Sequence, residues 1–338
     1  MSGSADVCVV GAGPAGALVA HRLATAGYDV TVLDAGPRFD GENENRTERM
    51  ERALRPAHHP LSVWGMGGER DAYSSSGDRH YPLNHARVKG IGGSTLHWQG
   101  MVMRLHEADF ERRSRDGVGA DWPISYADLG PYYTAAEREL GVAGASDNPF
   151  APPREEPHPM PAFPPSYSDS LFAEACAELG IDMASQPKAI ASETYRGRPV
   201  CGGYGVCNAC PIGAKYSSEQ HVDRAEKRGA RVIDRAQVLE LVTDGSGERV
   251  TGAVYATPDG KRHRQEATAF VLAAGGIETP RLLLLSASDQ HPAGLANSSG
   301  AVGRYLMDHA EVEVRAELDE PTWQNNIGFV TSRSDQFY

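Results

Sequence analysis

Lysine is scarce in this chain. Only Lys89, Lys188, Lys215, Lys227 and Lys261 occur, and arginine supplies the rest of the 33 basic residues. Basic charge as a whole is outweighed: 45 acidic residues give a formal charge of −12 and an isoelectric point near 5.5. A surface acidic on average repels phosphate, which argues against a nucleic-acid partner, a local basic patch aside. No apolar run reaches the roughly 18 residues of a membrane span, so no transmembrane segment is expected. The buried-looking strand that begins within a few residues of Met1 leaves no room for a leader, so a cytoplasmic location is expected. Cysteine is limited to five residues, an odd number that does not form a disulfide framework. No internal repeat or low-complexity tract is present. The 338 residues, 40% apolar, suffice for one large core or two ordinary ones.

The hydrophobic pattern predicts a β-α-β unit at the N-terminus, with a strand at Asp6–Val10, a helix at Pro14–Ala26 and a strand at Tyr28–Leu33. Residues 39–87 read as a polar excursion over the sheet, with a helix at about Glu44–Leu54. Further helices are predicted at Tyr126–Leu140, Ser168–Leu179, Ser217–Arg228 and Ile277–Leu285, the first ended by Gly141. Asn148–Pro165 is Pro-rich and reads as an ordered surface linker. Strands are predicted at Arg231–Ile233, Gln237–Thr243, Arg249–Ala256, Gln265–Leu272 and near Glu311–Leu318. The fold class is α/β, a Rossmann-like dinucleotide-binding domain with inserted segments.

Gly11-Ala12-Gly13-Pro14-Ala15-Gly16 lies between the first strand and first helix. In that setting Gly11 permits a tight turn, Gly13 lets a diphosphate approach the backbone, and Gly16 lets helix pack on strand. The free N–H groups at the helix start favour an anion. Asp34 ends the second strand, placed for the adenosine ribose hydroxyls. The same unit suits FAD or NAD, and a plain β-α corner would use the same glycines.

Four further stretches follow in order: Arg87–Thr95, Asp121–Leu129, Ala273–Pro280 and Val302–His309. With the first unit they make the chain resemble the N-terminal, FAD-binding portion of the glucose-methanol-choline (GMC) oxidoreductases, nearest the sugar or gluconate dehydrogenase and pyranose-oxidising branches. Leu285–Ser288 departs from the Ser-Gly turn usual there. The resemblance implies FAD as cofactor, with Gly92, Gly93 and Ser94 beside its diphosphate and flavin ring and the Val238 backbone beside adenine. An ordinary half-buried strand residue is the other reading of Val238. The FAD-binding domain is expected over 1–310, with a core of about 1–40, 85–110 and 200–310 and inserts at 41–84 and 111–199. Residues 311–338 are expected to begin a substrate domain that is truncated.

His97 follows the double glycine as Leu96-His97-Trp98. In some members of the resembled family a histidine at this spacing is joined covalently to the flavin; otherwise the residue hydrogen-bonds the flavin or packs. Cys201, Cys207 and Cys210 form a C-x5-C-x2-C run rich in glycine. It resembles the segment by which sugar dehydrogenases of that family hold a 3Fe-4S cluster and pass electrons to a partner protein, although the last gap is one residue shorter. Zinc with His221 as fourth ligand, and unliganded thiols, are the other readings. Cys8 and Cys176 read as structural.

The resemblance further implies oxidation of a CH–OH group of a sugar or other alcohol, with hydride passing to flavin N5, electrons to an acceptor other than oxygen, and a histidine as base. That base is expected beyond Tyr338, and His309 is not it. An oxygen-using oxidase and a non-catalytic FAD-binding module are the alternatives.

Overall fold

Val7-Cys8-Val9-Val10 in β1 (Ala5–Val10) has no polar face, as befits a strand buried on both sides. In the computed structural model, which describes residues 3–39, 48, 87–203, 207–307, 312, 314, 316–322 and 330–338, the two faces go to different partners. Val7 and Val9 pack with Ala17, Ala20 and Ala24 of α1 (Pro14–Thr25) and with Val30 and Val32 of β2 (Val30–Leu33). Cys8 and Val10 face the other way, with Leu33. Small residues on α1 let the helix lie close against the strands.

Along the chain there follow a 3-10 turn (Gly93–Leu96), α2 (Glu107–Phe110), α3 (Arg112–Asp116), α4 (Tyr126–Leu140), α5 (Tyr167–Glu178), β3 (Ala184–Ser185) and α6 (Glu219–Glu226). Then come β4 (Arg231–Ile233), β5 (Gln237–Thr243), β6 (Val250–Ala256), β7 (Arg262–Leu272), α7 (Gly275–Leu285) and β8 (Ser332–Arg333). The chain divides into two compact units: Met1–Asn45, Ala57–His97 and Ser217–Arg315 form one, and Arg46–Pro56, Trp98–Tyr216 and Ala316–Tyr338 the other.

The first unit holds a sheet of order β4-β2-β1-β7-β6-β5. Its first four strands are parallel, and β5, β6 and β7 form an antiparallel meander. Strand β7 serves both parts: Ala267–Leu272 pairs with β1, and Arg262–Glu266 pairs with β6. Val238, Leu241, Ala253 and Tyr255 of the meander share a core with Cys8, Val10 and Leu33. On the opposite face Val222 and Ala225 of α6 join α1. Helices, parallel sheet and meander thus make three layers around β1 and β2.

In the second unit β3 pairs antiparallel with β8. Arg104, Glu137 and Arg154 form its central ion group. Glu137 is 3% exposed and takes two bonds of 2.9 Å from Arg104 and two from Arg154, the longer 3.1 Å. These guanidiniums hold the Glu137 carboxyl below its usual range against the opposing effect of burial.

The expected helix at Glu44–Leu54 lies, but for Glu48, outside the described residues. The strand expected near Glu311–Leu318 does so in part, and Val312, Val314 and Ala316–Leu318 are not strand.

Candidate dinucleotide site

The turn from β1 into α1 separates the roles of its glycines. Gly11 has φ +101°, and a β-carbon there would stand 2.6 Å from the Ala273 carbonyl oxygen. One on Gly16 would stand 1.9 Å from the Gly11 oxygen, so this residue serves helix-on-strand packing. Gly13 is different. As N-cap of α1 it is extended (φ −71°, ψ −173°), and a β-carbon there would meet nothing within 4 Å. Neither conformation nor packing within the chain calls for glycine at 13. The first turn of α1 carries no acid and no side-chain cap, so its N–H groups stay directed outward.

Asp34, 7% exposed, follows β2. One carboxylate oxygen accepts the Ala12 N–H at 2.8 Å, the other the Gly36 N–H at 2.9 Å. Burial pushes its pKa up, and the two N–H bonds oppose that shift. Each oxygen retains acceptor capacity beyond its backbone bond. The Asp34 carbonyl accepts from Ala236 N at 2.7 Å, which brings the link between β4 and β5 beside the acid. Val238, the second residue of β5, lies opposite Tyr255, its side chain buried in the core.

The double glycine lies against the same turn. Gly92 and Gly93 have φ +103° and +52°, and a β-carbon on Gly93 would approach the Gly13 Cα to 3.0 Å. Gly92 N donates to the Ala12 oxygen at 3.2 Å. The Ser94 hydroxyl accepts from Val88 N at 3.2 Å, and His97, half-buried, closes the 3-10 turn through its N–H to Ser94 O. Gly11, Gly13, Gly16, Asp34, Gly92, Gly93 and Ser94 therefore gather around one turn. The residues fit a dinucleotide: the open position at Gly13, the uncapped helix start and the buried acid match diphosphate and ribose in turn.

Two residues escaped the sequence reading. Ser218 and Thr95 hydrogen-bond to the backbone of this turn, and the run Ser217-Ser218-Glu219 signals only an ordinary helix start.

In the second unit, Cys201, Cys207 and Cys210 are free thiols, half-buried. Burial pushes the Cys207 pKa up to about 11; Lys215 and Lys188 pull against this, and the Cys201 and Cys210 thiols add to it. The Lys215 ammonium donates to the Cys207 carbonyl at 2.5 Å and the Trp98 carbonyl at 2.7 Å. Among the described residues, no three His, Cys, Asp or Glu side chains are grouped as metal ligands, and 204–206 fall outside them. His221 belongs to the helix core, fully buried with its ring 5.6 Å from that of His21. His309 lies outside the described residues.

Sheet, glycine turn and acid define a Rossmann-like dinucleotide-binding domain. Residues 10–311 match the GMC oxidoreductase family model, and the chain belongs to that family. It is 38% identical to the fructose dehydrogenase large subunit of Gluconobacter japonicus, over 95% of this chain and 61% of that protein. It is 34% identical to the 2-methyl-1,2-propanediol dehydrogenase of Mycolicibacterium austroafricanum, over 90% of this chain and 55% of that one. The chain thus spans little more than half the length of these relatives. The fold also matches a formate oxidase of Aspergillus oryzae studied for its FAD modification, with a TM-score of 0.53 and 18% identity over 85% of this chain and 48% of that one. Among the described residues, no helix is long and apolar enough to cross a membrane.

Proposed function

We propose that the first unit binds FAD and that the whole protein oxidises a CH–OH group of a sugar or small alcohol. The open position at Gly13, faced by Gly93, carries the reading: it is a glycine whose absent β-carbon nothing in the protein replaces. Gly11 and Gly16 shape the turn, Gly13, Gly92, Gly93 and Ser94 receive the diphosphate and flavin, Asp34 receives the ribose, and Val238 flanks adenine. Bound FAD supplies the hydride acceptor, a property of the cofactor itself. The chain's residues bind and orient it. We extend the proposal to a covalent link at His97.

The named dehydrogenase relatives support a sugar or diol substrate and an acceptor other than oxygen, reached through an electron-transfer partner protein. For Cys201, Cys207 and Cys210 the proposal is an iron-sulfur site. The glycine-rich C-x5-C-x2-C run supports it, the lack of a grouped ligand set among the described residues speaks against it, and no step is routed through it. Five free cysteines support a reducing, cytoplasmic location. The domain reading is likewise kept as a proposal, with residues 1–310 for FAD and 311–338 opening the substrate part.

The test is anaerobic reduction of the FAD-loaded protein by a panel of sugars and alcohols. Bleaching of the flavin band by at least one substrate, without peroxide when air is admitted, is expected. Rapid peroxide formation would move the protein to the oxidases, and failure to bind FAD would overturn the reading.

A further inference from the structure

Ser218 stands at the N-terminal boundary of α6, where a serine ordinarily accepts a hydrogen bond from the first turn of its helix. Here the residue is already helical (φ −67°, ψ −10°) and its side chain makes no cap bond. Its fully buried hydroxyl lies 2.8 Å from the Gly92 oxygen and 3.3 Å from the Ala12 oxygen. A local helix rule is broken, and the hydroxyl is turned to two glycine-rich segments far away in sequence.

Thr95, 3% exposed, completes the arrangement. Its hydroxyl donates to the Gly92 oxygen at 2.5 Å and accepts the Ser218 N–H at 2.9 Å. The two hydroxyl oxygens are 3.2 Å apart. With the Thr95 proton on Gly92, the Ser218 proton goes to Gly92 or Ala12, and every group is satisfied. The Ala12 N–H is held in turn by Asp34. A continuous buried chain thus runs from Asp34 through Ala12 and Ser218 to Gly92 and Thr95, joining the two segments that meet at Gly13 and Gly93.

We propose that Thr95 and Ser218 are positioning residues for the dinucleotide, their paired hydroxyls fastening the Gly11–Gly13 turn to the Gly92–Gly93 segment as one preformed cradle for the diphosphate. The proposal rests on the FAD reading. Both residues act through the main chain of Ala12 and Gly92, and their effect is to fix the spacing before the ligand arrives, which lowers the ordering cost of binding.

The experiment uses the full chain with Thr95→Val, Thr95→Ser and Ser218→Ala. Urea unfolding of the apoprotein is measured beside the affinities for FAD, ADP and adenosine. Thr95→Val, which removes the bonds to Gly92 and from the Ser218 N–H, and Ser218→Ala are each expected to weaken FAD and ADP by about three- to tenfold, in line with the net worth of a buried hydrogen bond. Adenosine, which lacks the diphosphate, keeps its wild-type affinity, and Thr95→Ser, which keeps the hydroxyl, binds all three ligands normally. Should Ser218→Ala fail to fold, Thr95→Val against Thr95→Ser makes the same comparison. Variants that lose stability yet bind FAD and ADP as tightly as wild type would overturn the staple while leaving the FAD reading intact. A wild-type chain that binds neither ligand defeats the FAD reading itself.

Discussion

Gly93 approaches Gly13 so closely that a β-carbon on it would stand 3.0 Å from the Gly13 Cα, although 80 residues separate the two in sequence. Glycine at both places keeps the contact open to a third party. The helix start at Gly13 points its N–H groups there.

The glycines of the turn should separate under substitution. Gly16→Ala forces a β-carbon against the Gly11 carbonyl and is expected to cost about 2 kcal/mol or more, read as a lower urea midpoint. Gly13→Ala has room and is expected to change stability by less than about 1 kcal/mol. It should nonetheless weaken FAD about tenfold or more, measured by flavin fluorescence. Equal FAD affinity in Gly13→Ala would remove the diphosphate from this turn.

At Asp34 an amide is a poor substitute. Asn presents one acceptor where the carboxylate presents two, and turns an NH2 toward either the Ala12 or the Gly36 N–H. Asp34→Asn is expected to lose about 1–3 kcal/mol of stability and to bind FAD more weakly. Titration calorimetry with adenosine checks whether the ribose is the part affected.

The proposed link at His97 predicts that flavin stays with the protein after acid precipitation. In His97→Ala all of it should appear in the supernatant. Full release from the wild type would show that the histidine is no anchor.

For the cysteines, protein purified anaerobically is expected to carry iron and acid-labile sulfide, both lost in Cys207→Ser. Absence of both leaves three ordinary thiols. In metal-free protein Cys207, raised to about 11, should then react with iodoacetamide at pH 8 far more slowly than a free thiol of ordinary pKa.

His158 provides a pH signature. Burial first, then the nearby Arg154 and Arg104, lower its pKa to about 4. Unfolded, it takes up a proton near the ordinary 6.5. Between those values the unfolded chain binds more protons than the folded one, so stability falls as pH drops through about 6.5 to 4. Urea midpoints at pH 7.5 and 5 measure the loss, which should shrink in His158→Gln.

Much of the fold was legible where local signals agree with it. Helix α4 begins and ends where Ser125, Asp128 and Gly141 place its caps. Strands β4 and β5 have the bounds their apolar runs suggest. Tyr28 was read as strand but belongs to the helix end, where its N–H returns to the Leu23 carbonyl beside Gly27 at φ +91°. Strand β7 starts three residues early, since pairing with β6 overrides the charged Arg262-His263-Arg264. The two-residue strands β3 and β8 carry no period to detect. At the site, the glycines and Asp34 stand in the order a sequence motif can display. Thr95 and Ser218 were hidden because their meaning depends on a contact across 123 residues.

The double duty of β7 bears on how the chain is made. Ala5 pairs with Ala267, so the N-terminal strand has only β2 on one side until the ribosome has passed residue 267. At ordinary synthesis rates that interval lasts roughly 10–50 s. During it the other edge of β1, a run of Val and Cys that Ala267–Leu272 will later cover, is an open template for pairing with another nascent chain. That exposure is a consequence of the strand order, and it ends when β7 docks.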